Sequence, residues 1–561
     1  MTIDNGSASR PLVNPLSRRN VLKGAGLGAA LAAFGVPLAA CGSGSGSGSG
    51  GGAAAPAAGK SVPLPTYVPP VKPKPTLEGN GQGLMDVYDS FPLNGPKTVN
   101  GPVGDGGEFN FLVMTYGEPA PPLEENVYWQ LLNKELNVKV NPIRVPFADF
   151  ATKFPAMVAG DDLPEVVSIP LYMNVARLPQ LAEAQFTDLS DHLSGDAVKK
   201  YPNLAGIQEA GWLNGYLNGR IYGVPKSDPV YGAGQIYTKT DVIQAAGANP
   251  QPKNLAEFKD LAKAVTNPKA GVYAFGGSIS EFLQMAFGVP NKWTRNADGS
   301  FTSAYEHPGF IPAIQEMAGM YKSGYFHPDT TMNANQGKVQ RDALFRSGKI
   351  AMIMDGTRAV GIVADDKDVV FGLMVPFAKD GGKGIYWTGG GAYAMTMLKK
   401  TSDKSKIERF LRVLDYIAAP FGSRESFIMS YGVEGADYTV KNGVAVLTTR
   451  GQREQDLGLA YIAGGPQVLN DPQGAPGVDK LNYEWQQQVV PNLLANPAQH
   501  LYSQTQNSKG AALEQQMQDA ITSVFLGREQ PSTLAPAVQK WKAGGGDRMA
   551  KEFAEAAAQA G

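Results

Sequence analysis

The chain predicts an α/β fold of two lobes held at the end of a structureless leash, and three observations carry that reading. Strand-like and helix-like segments alternate from Phe109 onward, the same alternation restarts past residue 235, and residues 1–106 have the composition of a signal and a spacer. Alternation at this spacing argues for βαβ units and a parallel sheet covered by helices.

The leader begins with Ser17-Arg18-Arg19-Asn20-Val21-Leu22-Lys23, followed by a weakly apolar run from Gly24 to Ala40. A basic patch before such a run reads as a secretory signal. Arg18 and Arg19 in the setting S-R-R-x-x-L-K resemble the twin-arginine export signal, with Val21 where Phe is usual. The run of 17 residues is rich in Gly and Ala. It falls short of the ~20 strongly apolar residues that span a bilayer, so cleavage fits better than a retained helix. Leu38-Ala39-Ala40-Cys41 resembles the lipobox of bacterial lipoproteins, in which a peptidase cuts before the cysteine and acyl chains are added to it. Cys41 is the only cysteine, and the Gly/Ser run behind it can bury nothing. The thiol therefore reads as an attachment point, and two or more acyl chains meet the condition for stable anchoring.

Behind Cys41, Gly42 to Gly52 predicts a flexible coil spanning ~18 Å, and Ser61 to Pro75, with six prolines, a semi-extended spacer of roughly 45 Å. Residues 76–106 stay rich in Gly, Pro and Asn, and the sequence leaves open whether Leu84, Met85, Val87, Tyr88 and Phe91 pack on the body. The body starts near Gly107 and runs for about 455 residues, enough for two or three domains. Its charge is balanced, −1 over the whole chain, with Lys and Arg scattered. That pattern argues against a nucleic-acid groove or a polybasic membrane surface and favours a neutral or mildly polar small-molecule partner.

Within the body, "FNFLVM" (Phe109 to Met114) predicts a strand and Leu123 to Leu136 a helix, with Val127, Leu131 and Leu132 at helical spacing. "VKVNPIRV" reads as a strand, "FADFATKFPAMVAG" as a helix stopping at Gly160, and "VVSIP" as a short apolar strand. In the second half Asn254, with Glu257 three residues on, caps the helix "NLAEFKDLAKAVT". "GVYAFGG" reads as a strand, "HPGFIPAIQEMAGMYKSGYF" as a helix, and Ile350 to Met354 as an apolar strand. Three further helices are predicted in "KIERFLRVLDYIA", in the segment opening at Gly510 and in the C-terminal segment from Leu534.

The order "GRIYGVP" (Gly219 to Pro225), "QIYTKTDVIQAAG", "PKNLAEFKDLAKAVT" and "LFRSGKIAMIMDGTRAVG" resembles the extracellular solute-binding proteins of carbohydrate ABC importers, broadly the maltodextrin-binding-like family. "SYGVEGADYTVKNG" and the helix from Leu513 resemble the large lipoprotein branch of that family. The resemblance implies a type II periplasmic-binding-protein-like fold, two α/β lobes around a ligand cleft that closes by a hinge. It divides the chain into a signal at 1–40, a lipidated Cys41 with linker at 41–106, a first lobe of 107–230 plus about 384–425, and a second of 231–383 plus about 426–561. Crossings fall near Ser227 to Gln235 and Pro376 to Trp387, where Gly232, Gly234, Gly381, Gly382 and Gly384 suit a hinge. The implied partners are a carbohydrate, an oligosaccharide by preference, the permease subunits of an ABC importer, and the membrane through the lipid anchor. The protein is expected to be a monomer on the extracytoplasmic face, with no nucleic acid, cofactor or metal.

A neutral sugar asks for flat apolar faces against its C–H patches, and for carboxylates, amides and Arg against its hydroxyls. At loop positions this selects Tyr116 and Glu118 after the first strand, Tyr172, Tyr231 and Gln235 at the first crossing, Glu281 and Phe282, Trp293, Asp355 and Arg358 of "DGTR", and Trp387. The first-strand loop, the Glu281 region and "DGTR" match sugar-contacting loops of the family, although the family has Trp where Thr357 and Arg358 stand. A competing reading places Trp387 in the lobe core. Two other classes compete with a binding protein. A glycoside hydrolase needs two carboxylates ~5–10 Å apart across the scissile bond, and adjacent acids such as Asp161-Asp162 and Asp365-Asp366 read better as turn residues. The four histidines form no metal pattern and no G-x-S-x-G or Walker sequence occurs. "NADG" (Asn296 to Gly299) reads as a hairpin turn, not a calcium loop. A lipid-anchored surface adhesin would share the leash without needing a hinged body.

Overall fold

The computed structural model describes residues 61–81, 83–116, 119–173, 175–331, 334–356, 370–471 and 477–560. Arg18, Arg19, Cys41, Glu118, Thr357, Arg358 and Asp365-Asp366 lie outside them. In chain order the strands that organise the body are β1 (Glu108–Thr115), β2 (Lys139–Pro146), β3 (Val166–Pro170), β4 (Gly223–Ser227), β5 (Gln235–Lys239), β6 (Tyr273–Phe275), β7 (Ile350–Asp355), β8 (Phe371–Met374), β9 (Tyr386–Trp387), β10 (Ala392–Leu398) and β11 (Leu493–Leu494).

They build two sheets, one ordered β2-β1-β3-β10-β4 and the other β8-β5-β7-β6. In the first, β1, β2 and β3 are parallel and β10 runs against both β3 and β4. The apolar run of β1 follows from burial on both faces. Phe109, Phe111 and Val113 enter one core, and Leu112 and Met114 enter the other. In the second sheet β6 and β7 are parallel, while β5 runs against β7 and β8. The helix Leu255–Val265 covers it and is capped by Asn254, whose side chain accepts from Glu257 N–H, while the Glu257 carboxylate reaches back to Lys253 N–H. "NADG" closes the hairpin between Trp293–Arg295 and Phe301–Ser303, with Gly299 at φ 83°.

The chain leaves β4 and enters β5 through residues 228–234, and returns from β8 to β10 through β9. The two crossings lie side by side. Tyr231 bridges Thr388 antiparallel, Gly232 N–H donates to Trp387 O (3.0 Å) and Gly389 N–H to Val230 O (2.7 Å). A Cβ on Gly232 would fall 2.4 Å from the Thr388 carbonyl carbon and oxygen, so this glycine is required by close backbone approach, not by hinge dihedrals. Gly234 is similar, since a Cβ there would fall 2.6 Å from Met354 Cγ. Gly381 and Gly382 instead sit at φ 105° and 92° in a turn of the second lobe, where Gly381 N–H donates to Ala378 O. The second crossing therefore begins after that turn, at β9.

Two expected boundaries are corrected. The semi-extended spacer expected at 61–75 is laid on the body, and residues 76–106, left open by the sequence, pack on it too. Val62 N–H donates to Gly219 O, Thr66 N–H to Gly195 O and Val68 N–H to Ala205 O. Further on, Glu78 O accepts from Tyr483 Oη (2.8 Å) and Met85 N–H donates to Gln486 Oε1 (3.0 Å), both on the helix Val478–Val489 that packs with the second sheet. Tyr88 and Phe91 then stack on Phe421, 4.4 and 4.3 Å between ring centroids. The segment pairs its backbone with the body at many points and with itself around one short antiparallel bridge, Leu77 to Val87, so it carries no helix or strand periodicity. Residues 426–463 also leave their expected lobe, because Ile428, Leu457, Leu459, Ile462 and Ala463 are buried in the core beside the first sheet. The C-terminal helices do pack in the second, through Leu513, Met517, Trp541 and Phe553.

Glu425, 0 % exposed, ties the strap down by accepting from Thr98 N–H, Thr98 Oγ1 and Val99 N–H. Glu425→Ala strands these donors and is expected to destabilise the protein by about 2–4 kcal/mol in urea unfolding. An unchanged midpoint would mean that residues 87–106 are a loose tether after all.

Candidate functional site

Topology fixes where a site can be. The carboxyl ends of β1, β2, β3 and β4 lie at one edge of the first sheet, and the first crossing leaves from that edge. It enters the second sheet at the start of β5, beside the carboxyl end of β7, where Gln235 pairs with Asp355. The two carboxyl edges therefore face one another across the crossings, the position in which open α/β sheets bind ligands. At the mouth of this cleft the lobes meet where Arg177 N–H donates to Asn507 O (2.8 Å), and where the helix Phe147–Ala159 approaches the helix Ala334–Arg346.

The first-sheet edge carries a cluster of aromatic rings. Tyr116 follows β1, Phe147 follows β2, Tyr172 follows β3, Tyr393 lies in β10 next to its first residue, and Tyr461 reaches in from the helical turn Leu459–Tyr461. Tyr116 stands 5.4 Å from Phe147 and 5.7 Å from Tyr461, and Tyr393 stands 6.1 Å from Tyr172 and 5.8 Å from Tyr461, all between centroids. The Tyr116 hydroxyl bonds to those of Tyr172 and Tyr393, the latter at 2.8 Å. Burial, with the neighbouring hydroxyls, holds the Tyr116 phenol far above its ordinary pKa, and burial raises Tyr172 and Tyr393 too, so all three remain neutral donors and acceptors. Tyr172 is 47 % exposed, and the other four rings are half-buried. The arrangement offers ring faces and edges with hydroxyls tied among themselves, suited to the C–H faces of a sugar.

The second-sheet edge is polar. Gln235 is 1 % exposed, yet neither its Nε2 nor its Oε1 has a hydrogen-bond partner among the described residues. An enclosed amide without partners costs free energy and calls for an explanation. Glu281 opens the helix Ser280–Ala286 and its Oε2 accepts from Gly234 N–H (3.3 Å). The residue is half-buried, but its carboxyl is enclosed, and burial pushes the pKa up against the pull of that N–H and of Lys292. Asp355 is ion-paired with Arg341, which also holds Asp342 at 2.7 Å.

Of the residues expected from sequence, Tyr116, Tyr172, Gln235, Glu281 and Asp355 lie at these two edges. Phe282 and Trp293 do not. Phe282 is buried between Phe258 and Phe377, at 5.5 and 5.4 Å, and Trp293 against Phe553 and Trp541, at 5.2 and 5.9 Å. Both are core residues, whose loop-like neighbourhoods in the sequence concealed inward-facing rings. Tyr231 is also spent on packing, with its ring against Tyr386 and Trp485 and its hydroxyl on Gly83 O. Trp387 donates its indole N–H to Val289 O (2.9 Å) and packs against the second-lobe cores, which makes it a strut of the crossing. Sequence reasoning missed Phe147, Tyr393 and Tyr461. Phe147 was within reach, since it stands after β2 as Tyr116 stands after β1. Tyr393 and Tyr461 arrive from distant segments, and no local pattern marks them.

This fold is that of the type II periplasmic-binding-protein-like proteins, and the chain belongs to the bacterial extracellular solute-binding protein family, whose pattern matches residues 130–414, about half of it. Among its relatives, the polygalacturonan/rhamnogalacturonan-binding protein YtcQ of Bacillus subtilis is 25 % identical over 479 residues, covering 81 % of this chain and 92 % of YtcQ. The lipoprotein LipO of the same organism is 22 % identical, covering 78 % and 89 %. Among solved structures, the ABC-transporter substrate-binding protein FusA of Streptococcus pneumoniae, in complex with kestose, superposes with a TM-score of 0.59 at 14 % identity, over 80 % of this chain and 98 % of that one.

If the Gln235 amide is held for an incoming partner, the ligand-free protein bears its cost. Gln235→Met, of similar volume and without polar atoms, is then expected to stabilise the ligand-free protein by about 1–2 kcal/mol in urea unfolding. Destabilisation by a similar amount would show that the amide is already satisfied.

Proposed function

We propose that this protein is the extracytoplasmic capture component of an ABC importer, tethered to the membrane through an acylated Cys41, which holds a sugar or oligosaccharide in the cleft and delivers it unchanged to the permease. The observation that carries the reading is the pairing of a five-ring aromatic edge on one sheet with an enclosed amide, unpartnered among the described residues, on the facing edge of the other. Rings cover sugar C–H faces, and the amide takes a hydroxyl on either its donor or its acceptor side. Membership of a solute-binding family supports the transport role. The ligands of two similar proteins, polygalacturonan/rhamnogalacturonan for YtcQ and kestose for FusA, support the carbohydrate class. LipO and the sequence around Cys41 support the lipid anchor.

Binding without chemistry is the better reading of the acids as well. Asp355 is engaged in an ion pair with Arg341, a cation it shares with Asp342, and Glu281 is the remaining candidate acid named at that edge. A hydrolase would need a second acid across the bond. The chain is proposed to work as a monomer, and prolonged incubation with a bound oligosaccharide should return it intact by chromatography.

The test of the cleft is Tyr172→Ala. Because Tyr172 is 47 % exposed, its loss should leave the ligand-free melting temperature nearly unchanged. Affinity for a bound oligosaccharide, measured by isothermal titration calorimetry over a panel, should fall roughly tenfold. Unaltered affinity would remove the aromatic edge from the site. The test of the anchor is Cys41→Ser, which should move the protein from the membrane to the soluble fraction. A substituted protein that still sediments with membranes would contradict it.

A further inference from the structure

We infer that the cleft takes an acidic, uronate-bearing oligosaccharide, whose carboxylates engage a cationic pocket at the cleft mouth. The inference rests on the carbohydrate reading above and adds the charge class of the ligand. The pocket is a depression of about 440 Å³ between the turns Gln506–Gly510 and Lys542–Gly546, within the size range of ligand sites. Lys509, Lys542, Arg548 and Lys551 line it, against the single carboxylate of Asp547.

Two of the four cations are occupied. Lys542 pairs with Glu306 and lies 3.6 Å from Asp547, and Arg548 Nε donates to Glu552 Oε1 (3.0 Å). Glu552 also accepts from Ser503 Oγ (2.6 Å) and Thr505 N–H (2.8 Å), which fixes it against Arg548 and leaves Lys509 and Lys551 as the pocket's remaining cations. Lys509 and Lys551 are exposed and make no ion pair among the described residues. Nothing in the packing of this lobe uses the two lysines.

Position makes the charge relevant. Asn507, in the same turn as Lys509, accepts the Arg177 N–H, and Arg177 ends the loop that begins with Tyr172. Arg177, Lys509 and Lys551 are all exposed, and on this inference a ligand lying on the aromatic edge runs out past Tyr172 and Arg177 toward the two lysines. A neutral chain gains little from such a row of hydrated cations. A chain with a carboxylate on every sugar can pair with several at once, through charge-assisted hydrogen bonds that weaken with salt.

The test uses the full-length exported protein and two probes of equal length, an oligogalacturonate and its methyl ester, titrated by calorimetry. The inference expects the acid to bind more tightly than the ester, with the advantage shrinking as salt is added. Lys509→Gln with Lys551→Gln should weaken the acid roughly 3- to 10-fold and leave the ester and the melting temperature unchanged. Equal affinities for acid and ester, or a double variant that binds the acid normally, overturn the inference while leaving the carbohydrate reading intact. Inorganic phosphate binding to the pocket without competing with the acid overturns it too. Failure of acid, ester and every neutral sugar to bind would remove the carbohydrate reading itself.

Discussion

Two backbones pass within hydrogen-bond distance of each other between the sheets, and the rest of the molecule is arranged around that passage. Gly232 and Gly389 leave room for the bonds to Trp387 O and Val230 O, with no side chain able to intrude at Gly232. Aromatic struts stiffen the passage: Tyr231 and Tyr386 against Trp485, and Trp387 with its indole N–H on Val289 O. Because both sheets begin and end their crossings at their carboxyl edges, the pairing that joins the lobes also turns those edges toward each other. The cleft is thus a consequence of strand direction.

On the proposed reading, the two edges divide the work of recognition. Five rings from five separate segments converge on the first, and the hydroxyls of three of them, Tyr116, Tyr172 and Tyr393, are tied together, so the surface is set before a ligand arrives. The second offers an enclosed amide without partners and a carboxyl that burial holds high. Preformed apolar faces and a few oriented polar groups are the usual division in a small-molecule site. The strap at residues 61–106 adds a feature that the two-lobe plan does not require. It touches the first lobe, then the helix Val478–Val489, then the first lobe again, so the strap is fastened on both sides of the crossing.

Much of the fold was legible because its signals are local. Alternation placed β1, β2, β3 and β7, Asn254 marked a helix start, and "NADG" a hairpin. The strap was illegible because most of the hydrogen bonds that hold it to the body go to residues more than a hundred positions away, and Gly/Pro-rich composition looks alike in a spacer and in an extended segment laid on a body. The site was half legible. Rings that follow strands could be found by position, as with Tyr116 and Tyr172. Nothing local separates these from Phe282 and Trp293, which face the core, because helix phase and hairpin orientation decide that and only packing sets them. Gly232 was found, but its task is close backbone approach, which leaves the same letter in a sequence as the dihedral freedom used by Gly381 and Gly382.

The central claim is that one ligand is held between both edges at once. Hydrogen–deuterium exchange of the exported protein, with and without a saturating oligosaccharide, addresses it most directly. The account predicts simultaneous protection in peptides covering 111–116, 170–173 and 392–395 of the first edge and 234–236 and 278–284 of the second. Protection confined to one lobe, or falling on a surface away from both edges, would contradict it.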